Sequence, residues 1–352
     1  MIAFKDGLTI GGDSPIRVNC NIGCNKIEDI QSEISKIEFI QSCNELPDMM
    51  MDLSLIELEE PLYNYIKNNL GLPFGVVLSY HRFTKSKGYQ WEDIRDAFLQ
   101  LCYDGVSFVT IHFTADLDLL SRANQIRKIP VTSRGGGMVL YDSRINNRTQ
   151  NIFRENIDEI ANIALKHNVV ISLGTTFRPG TILDACDSVH IEETLRQLSI
   201  CRMLQSKGVK VMVENIGHIT LDKIATHSKL LSKFNAPIMP LGPLPTDAAI
   251  NEDHIANAIG ATFAAYIGCA HIINCVTRYE HSKSAITQEA IIEAIRAAKV
   301  AAHIADLSRN INKAYLYDAF ITNNRIKEHS CLTDSNNCTR CSTVCPLKLT
   351  SI

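Results

Sequence analysis

The sequence predicts an α/β protein, a (β/α)8 TIM barrel with a cysteine-rich tail, on three observations. Short β-branched apolar runs recur along the chain, helix-period segments separate them, and four cysteines crowd together from Cys331 to Cys345. In order, the strand candidates are Val18–Ile22, Met49–Leu53, Gly75–Leu78, Phe108–Ile111, Val131–Ser133, Val169–Leu173, Val209–Val213, Ile238–Leu241 and Ile272–Val276. Their near-continuous apolar character suits strands buried on both faces of a parallel sheet. Trp91–Tyr103, Asn156–His167, Ile191–Lys207 and His254–Tyr266 carry the helical period that βαβ crossovers need. The candidates exceed eight by one, and the short Val131–Ser133 run is expected to lie outside the ring. The expected organisation is an N-terminal arm over 1–15, a barrel over 16–310 and a tail over 311–352.

A chain of 352 residues that is 45% hydrophobic can bury a large core without staples. Its net charge of -3, with Lys and Arg scattered, excludes the basic field that non-specific nucleic-acid binding requires. Met1 to Asp13 lacks a signal-peptide layout, and no stretch approaches the ~20 apolar residues of a membrane span. A cytoplasmic protein with no membrane or nucleic-acid partner is expected. In a reducing compartment, twelve cysteines read as buried thiols or metal ligands rather than disulfides.

Polar residues stand repeatedly at the C-terminal ends of the predicted strands, where barrels place their chemistry: Asn19 and Asn21, Asp52 and Ser54, Tyr80 and His81, His112, Asp247. Solvent begins at strand ends, so any one of these could be bland; their convergence on one rim is the signal. Ser133-Arg134-Gly135-Gly136-Gly137 after a strand reads as an anion cradle, with backbone N–H groups and a guanidinium, although three glycines could simply make a flexible turn. Arg178-Pro179-Gly180 adds a second cation, and together they suggest a phosphorylated small substrate. Glu214 with His218, and Glu280 with His281, are types that suit a divalent metal with open positions, so His218 and His281 are candidate ligands. In the tail, Cys338-x2-Cys341-x3-Cys345 offers three thiolates, which would leave one iron of a cubane cluster open. A structural zinc with Cys331 as fourth ligand and unliganded surface thiols are the alternatives.

Ordered short motifs then carry a resemblance. Val18-Asn19-Cys20-Asn21-Ile22-Gly23, Met51-Asp52-Leu53-Ser54, Thr110-Ile111-His112, Val131 to Gly136, Arg178-Pro179-Gly180, Glu214 to His218, Leu241-Gly242-Pro243-Leu244, Asp253-His254-Ile255, Glu280-His281 and Ala301 to Leu307 resemble the phosphomethylpyrimidine synthase (ThiC) family and its relative 5-hydroxybenzimidazole synthase. The tail spacing is also that of the common radical S-adenosylmethionine (SAM) motif read backwards.

The resemblance implies a homodimeric (β/α)8 barrel whose tail can cross to the partner's active site. It implies a [4Fe-4S] cluster on Cys338, Cys341 and Cys345 that cleaves SAM to a 5′-deoxyadenosyl radical, with a reductant such as ferredoxin or flavodoxin. The substrate would be 5-aminoimidazole ribonucleotide (AIR) or an analogue, rearranged to the thiamin pyrimidine or, alternatively, to the benzimidazole of the cobalamin lower ligand. By matching position, Ser133, Arg134 and Gly135 would grip phosphate or ribose, Asn21, Tyr80, His112, Arg178 and Glu214 would line the pocket, and Glu214 would share in catalysis. His218 and His281 would hold an auxiliary divalent metal, zinc or iron.

Three departures mark this chain. The family's Gly-Asp-Gly-Leu-Arg-Pro-Gly stands here as Gly174-Thr175-Thr176-Phe177-Arg178-Pro179-Gly180, the tail spacing is two then three, and Arg278 occupies a usual proline position. The N-terminal domain typical of the synthases is expected to be absent. A non-catalytic nucleotide-binding paralogue, or a metal-dependent hydrolase with a zinc tail, would keep the barrel while using it differently.

Overall fold

The computed structural model describes residues 1–283, 286–327, 331 and 339–350. Two compact units divide the chain, Met1–Ala305 and Asp306–Ile352. The first opens with a small antiparallel hairpin, β1 (Ile2–Ala3) and β2 (Thr9–Ile10). Eight parallel strands follow: β3 (Arg17–Ile22), β4 (Met49–Asp52), β5 (Phe74–Val77), β6 (Phe108–Ile111), β7 (Val170–Leu173), β8 (Val211–His218), β9 (Ile238–Leu244) and β10 (Ile272–Asn274). They lie in chain order around the sheet, with β10 paired to β3. Between β10 and β9, His271 N–H donates to Ile238 O at 2.8 Å and Asn274 Nδ2 to Pro240 O at 2.8 Å, which brings the ring round as a TIM barrel.

Val131–Ser133 is indeed outside the ring, as a loop entering helix Arg134–Ile145. Crossover helices Trp91–Asp104, Ile157–His167, Ser188–Ser206 and Asp253–Tyr266 pack their apolar faces on the strands' outer side. In helix Gln288–Ser308, Ala290, Ala294, Ala298, Ala301 and Ala305 recur at helical spacing and are buried, small enough to seat the helix closely.

Inside the barrel the alternation of strand side chains separates an apolar floor from a polar mouth. Met49, Phe108, Val170, Met212, Met239 and Ile272 fill the floor, and Phe4 and Ile10 of the hairpin close it from below. Phe4 stacks on Phe108 with ring centroids 5.4 Å apart. Burying Phe108 contributes roughly 2–3 kcal/mol, and Gly75 is what admits it: a Cβ at 75 would lie 2.2 Å from the ring. This plug forces polar chemistry to the other end.

The second unit contains helix Asn312–Lys327, a short turn Ser342–Val344 and helix Pro346–Thr350. No described helix is long and apolar enough to cross a membrane.

Candidate active site at the barrel mouth

A cavity of about 490 Å³ opens where the strands end. Asn21, Tyr80, His112, Ser133 and Arg134 line one side; Arg178, Glu214, His218, Glu280 and His281 line the other. Of the residues expected to contact substrate, Gly135 does not line it. A Cβ there would fall 2.4 Å from His112 Cε1 and 2.6 Å from Ser79 Oγ, so this glycine permits close packing beneath the wall.

Glu214 projects inward from β8 and is buried, accepting from Thr110 Oγ1 at 2.7 Å and Ser172 Oγ at 3.5 Å. Burial pushes its carboxyl up, against the hydroxyl bond and the positive charge of Arg178. A carboxyl held so, lining an open cavity, suits proton exchange with a bound molecule. On the cavity wall, the Arg134 guanidinium lies 5.4 Å from the Tyr80 ring centroid and donates to Asn25 Oδ1 at 3.1 Å. Asn21 is held by Asn19 Nδ2, which donates to its Oδ1 at 2.8 Å.

The glycine run does not follow a strand as expected. Ser133 is the N-cap of helix Arg134–Ile145, and its Oγ accepts from Gly136 N–H at 3.0 Å. The helix N-terminus carries a partial positive charge and stands at the mouth, with Ser133 and Arg134 lining the cavity. Ser133 Oγ is also hydrogen-bonded to His112 Nε2, 2.9 Å away, and His112 Nδ1 lies 3.4 Å from Ser79 Oγ. Burial lowers the His112 pKa to about 3, so the ring is neutral and braces the helix start.

Thr175, where the family carries an aspartate, is fully buried and turned from the cavity. Its hydroxyl donates to Glu193 Oε2 at 2.6 Å. Glu193, on helix Ser188–Ser206, also accepts from Thr114 Oγ1 at 2.7 Å, Thr176 N–H at 2.6 Å and Phe177 N–H at 2.8 Å. This carboxyl shapes the loop that presents Arg178, whose Nη1 donates to Thr175 O at 3.2 Å. Sequence reading missed Glu193, because it lies mid-helix with no strand end or motif beside it.

His218 reaches the cavity through a bulge. The β8–β9 register shifts between Ile216 and His218, and Ile216 and Gly217 take φ of 70° and 112°. Gly217 is required there, because a Cβ would meet Pro179 O at 2.5 Å. His218 Nδ1 lies 2.6 Å from Asp247 Oδ1, and His281 Nδ1 lies 3.1 Å from Asp253 Oδ1. The two rings meet edge to face with centroids 4.8 Å apart. Burial pulls the His218 pKa down, against the Asp247 bond. A carboxylate on Nδ1 fixes the proton there and leaves Nε2 as the ligand atom, the usual backing of a metal-binding histidine. The pair therefore fits a divalent metal. Asp253 was legible only as part of a motif; its role depends on a fold that brings it to His281, 28 residues away in the chain.

In the tail, Cys338 lies outside the described residues. Cys341 and Cys345 flank the turn Ser342–Val344, exposed and half-buried, and neither is in a disulfide. Thiols without a competing bond, one turn apart, fit soft iron ligation. Cys331 is exposed.

The architecture is that of a TIM barrel with a polar cavity at its C-terminal rim, where barrel enzymes place their chemistry. Residues 4–331 match the family model described as the radical SAM ThiC family, and the chain belongs to that family. Membership carries with it radical SAM chemistry, with a [4Fe-4S] cluster and SAM. A relative in Sulfurisphaera tokodaii is 35% identical over 90% of this chain and 75% of its own. Another in Pyrobaculum aerophilum is 32% identical over 88% and 74%, and one in Caldanaerobacter subterraneus is 34% identical over 87% and 72%. All three are named phosphomethylpyrimidine synthase. Among solved structures, a dihydropteroate synthase from Coxiella burnetii in complex with pteroic acid aligns at 12% identity over 87% of this chain and 99% of that chain, with a TM-score of 0.47, a likeness too distant to bear on function. The family match stops at 331, so the closely spaced tail cysteines lie beyond it.

Proposed function

We propose that this chain is itself a phosphomethylpyrimidine synthase, rearranging AIR to 4-amino-5-hydroxymethyl-2-methylpyrimidine phosphate for thiamin. The observation that carries the reading is the match to like-named relatives over about nine-tenths of the chain, 90% in the first case. The cavity suits the substrate. Arg134, Arg178 and the Ser133-capped helix start offer positive charge for a phosphate. Glu214, on the inner wall, is placed to accept from or exchange a proton with the imidazole amino group. Asn21 and Tyr80 orient the ring and ribose, while His112 holds Ser133 in place.

Cys338, Cys341 and Cys345 would hold the cluster, which with SAM supplies one-electron chemistry to start the rearrangement. His218 and His281, backed by Asp247 and Asp253, would hold a divalent metal, zinc or iron, that offers a Lewis-acid site near SAM. The working form is a cytoplasmic homodimer supplied with electrons by a small reductant protein. Thr175 does not argue for another substrate, because its hydroxyl is spent on Glu193.

The test is anaerobic reconstitution with iron and sulfide, then incubation with SAM, a reductant and AIR, read by mass spectrometry. The pyrimidine phosphate together with 5′-deoxyadenosine is expected. A benzimidazole product would transfer the chain to the cobalamin branch, and a formed cluster without SAM cleavage would refute the reading.

A further inference from the structure

Away from the cavity, on the outer side of β8, lies a second group of ligand-type side chains. Cys186 sits in the segment between Thr181 and helix Ser188–Ser206, His190 is in the first turn of that helix, and His227 is on helix Leu221–Leu231. Sγ of Cys186 and a ring nitrogen from each histidine lie within 4.8 Å of one another. His190 and His227 are both buried, and their rings stack with centroids 4.1 Å apart.

Two features make this more than a packed pair. Asn215 Oδ1 lies 3.3 Å from His190 Nε2 and 3.0 Å from His227 Nε2, and it also accepts from Ile216 N–H at 2.7 Å. An amide oxygen cannot donate, so both Nε2 atoms carry protons, and both Nδ1 atoms present lone pairs. His190 Nδ1 accepts from the Cys186 backbone N–H at 3.3 Å, a bond that a metal on that nitrogen would replace. Asn215 is locked in turn, with Nδ2 donating to Gln197 Oε1 at 2.8 Å and Thr194 Oγ1 at 3.2 Å.

Cys186 is the second feature. It is a non-glycine residue at φ 62°, a left-handed conformation that only its surroundings enforce. Lys223 Nζ donates to Ala185 O at 3.2 Å, and Asp187 is held by Arg127 through bonds of 2.7 and 2.8 Å. The segment is thus fixed on either side of the thiol.

We propose that Cys186, His190 and His227 form a thiolate–imidazole site for Zn²⁺ that clasps segment 181–187 to helix Leu221–Leu231, separate from the His218 and His281 pair. One thiolate and two neutral imidazoles are a donor set zinc favours, with a fourth position left for water. Tetrahedral bonds of ~2.0–2.3 Å put ligand atoms ~3.3–3.8 Å apart, so binding draws the three together and turns the rings out of their stack. The clasp also reaches the cavity: Thr181 Oγ1 donates at 2.7 Å to Asp247, the carboxylate behind His218.

The experiment uses the full chain with its cluster reconstituted, and Zn²⁺ as the added ligand. Alkylation of Cys186 is followed by peptide mass spectrometry, with half-buried Cys43 as the internal reference. Zinc is expected to slow Cys186 alkylation roughly tenfold or more, since a metal-held thiolate is not free to attack, while Cys43 is unaffected. His227→Gln should abolish this protection and lower bound zinc by one equivalent, and Co²⁺ should give a thiolate charge-transfer band that the variant lacks. His218→Gln should keep the protection. Equal alkylation of the wild-type chain with and without zinc overturns the proposal even if the variants fold poorly, and loss of protection in His218→Gln would assign the effect to the cavity instead.

Discussion

Glu193→Gln tests how the cavity wall is held. Each carboxyl oxygen of Glu193 receives one backbone N–H: Oε1 from Thr176 at 2.6 Å and Oε2 from Phe177 at 2.8 Å. Thr114 and Thr175 add a hydroxyl to each oxygen. An amide has one acceptor oxygen, so either orientation of the substituted side chain sets its NH₂ against a backbone N–H that cannot turn round; the hydroxyls can rotate and accept. The variant therefore loses one charge-assisted bond and strands one buried donor, together about 3 kcal/mol. Urea denaturation should show this loss. Substrate affinity should fall as well, because Arg178 is tied to the same loop through Thr175 O. Burial raises the Glu193 pKa, against these hydrogen bonds. A loss below about 1 kcal/mol would mean that the loop relaxes to satisfy the stranded N–H elsewhere, and the account of the loop would be wrong.

Thr175→Asp, which restores the family residue, should destabilise by roughly 3 kcal/mol by setting a second carboxylate against buried Glu193, measured by the same denaturation. Replacing Arg134 by alanine should weaken AIR binding roughly tenfold to a hundredfold through loss of a charged phosphate contact, with iron content unchanged; unchanged affinity in calorimetry would move the phosphate elsewhere. Cys341→Ala should abolish SAM cleavage while circular dichroism stays native, and a fully active variant would remove that thiol from the cluster. The folded pKa of His112, about 3, lies below the unfolded value of 6.5, so the unfolded chain takes up the proton first. Stability from its neutral form is complete above about pH 6.5 and declines by up to about 1.4 kcal/mol per unit as pH falls toward the folded value. His112→Asn should flatten the pH dependence of the urea midpoint between about pH 6 and 4, and an unchanged slope would refute the assignment.

The sequence alone determined the barrel, because strands buried on both faces must be apolar throughout and their crossovers must carry the helical period. It also singled out residues that line one cavity: Asn21 within its apolar run, and Tyr80, His112, Arg178, Glu214, His218 and His281 in the segments that follow theirs. Tertiary structure decided how those residues are held. Whether Ser133 ends a strand or caps a helix depends on long-range packing, since Gly135 and Gly136 lie within contact of His112 and Thr176. Glu193, Asp247 and Asp253 act on loops and rings distant in the chain, and no local period encodes such pairings. The same holds for Cys186, His190 and His227: their spacing fits no short ligand motif, and only the packing of two helices against β8 brings one thiol and two imidazoles together.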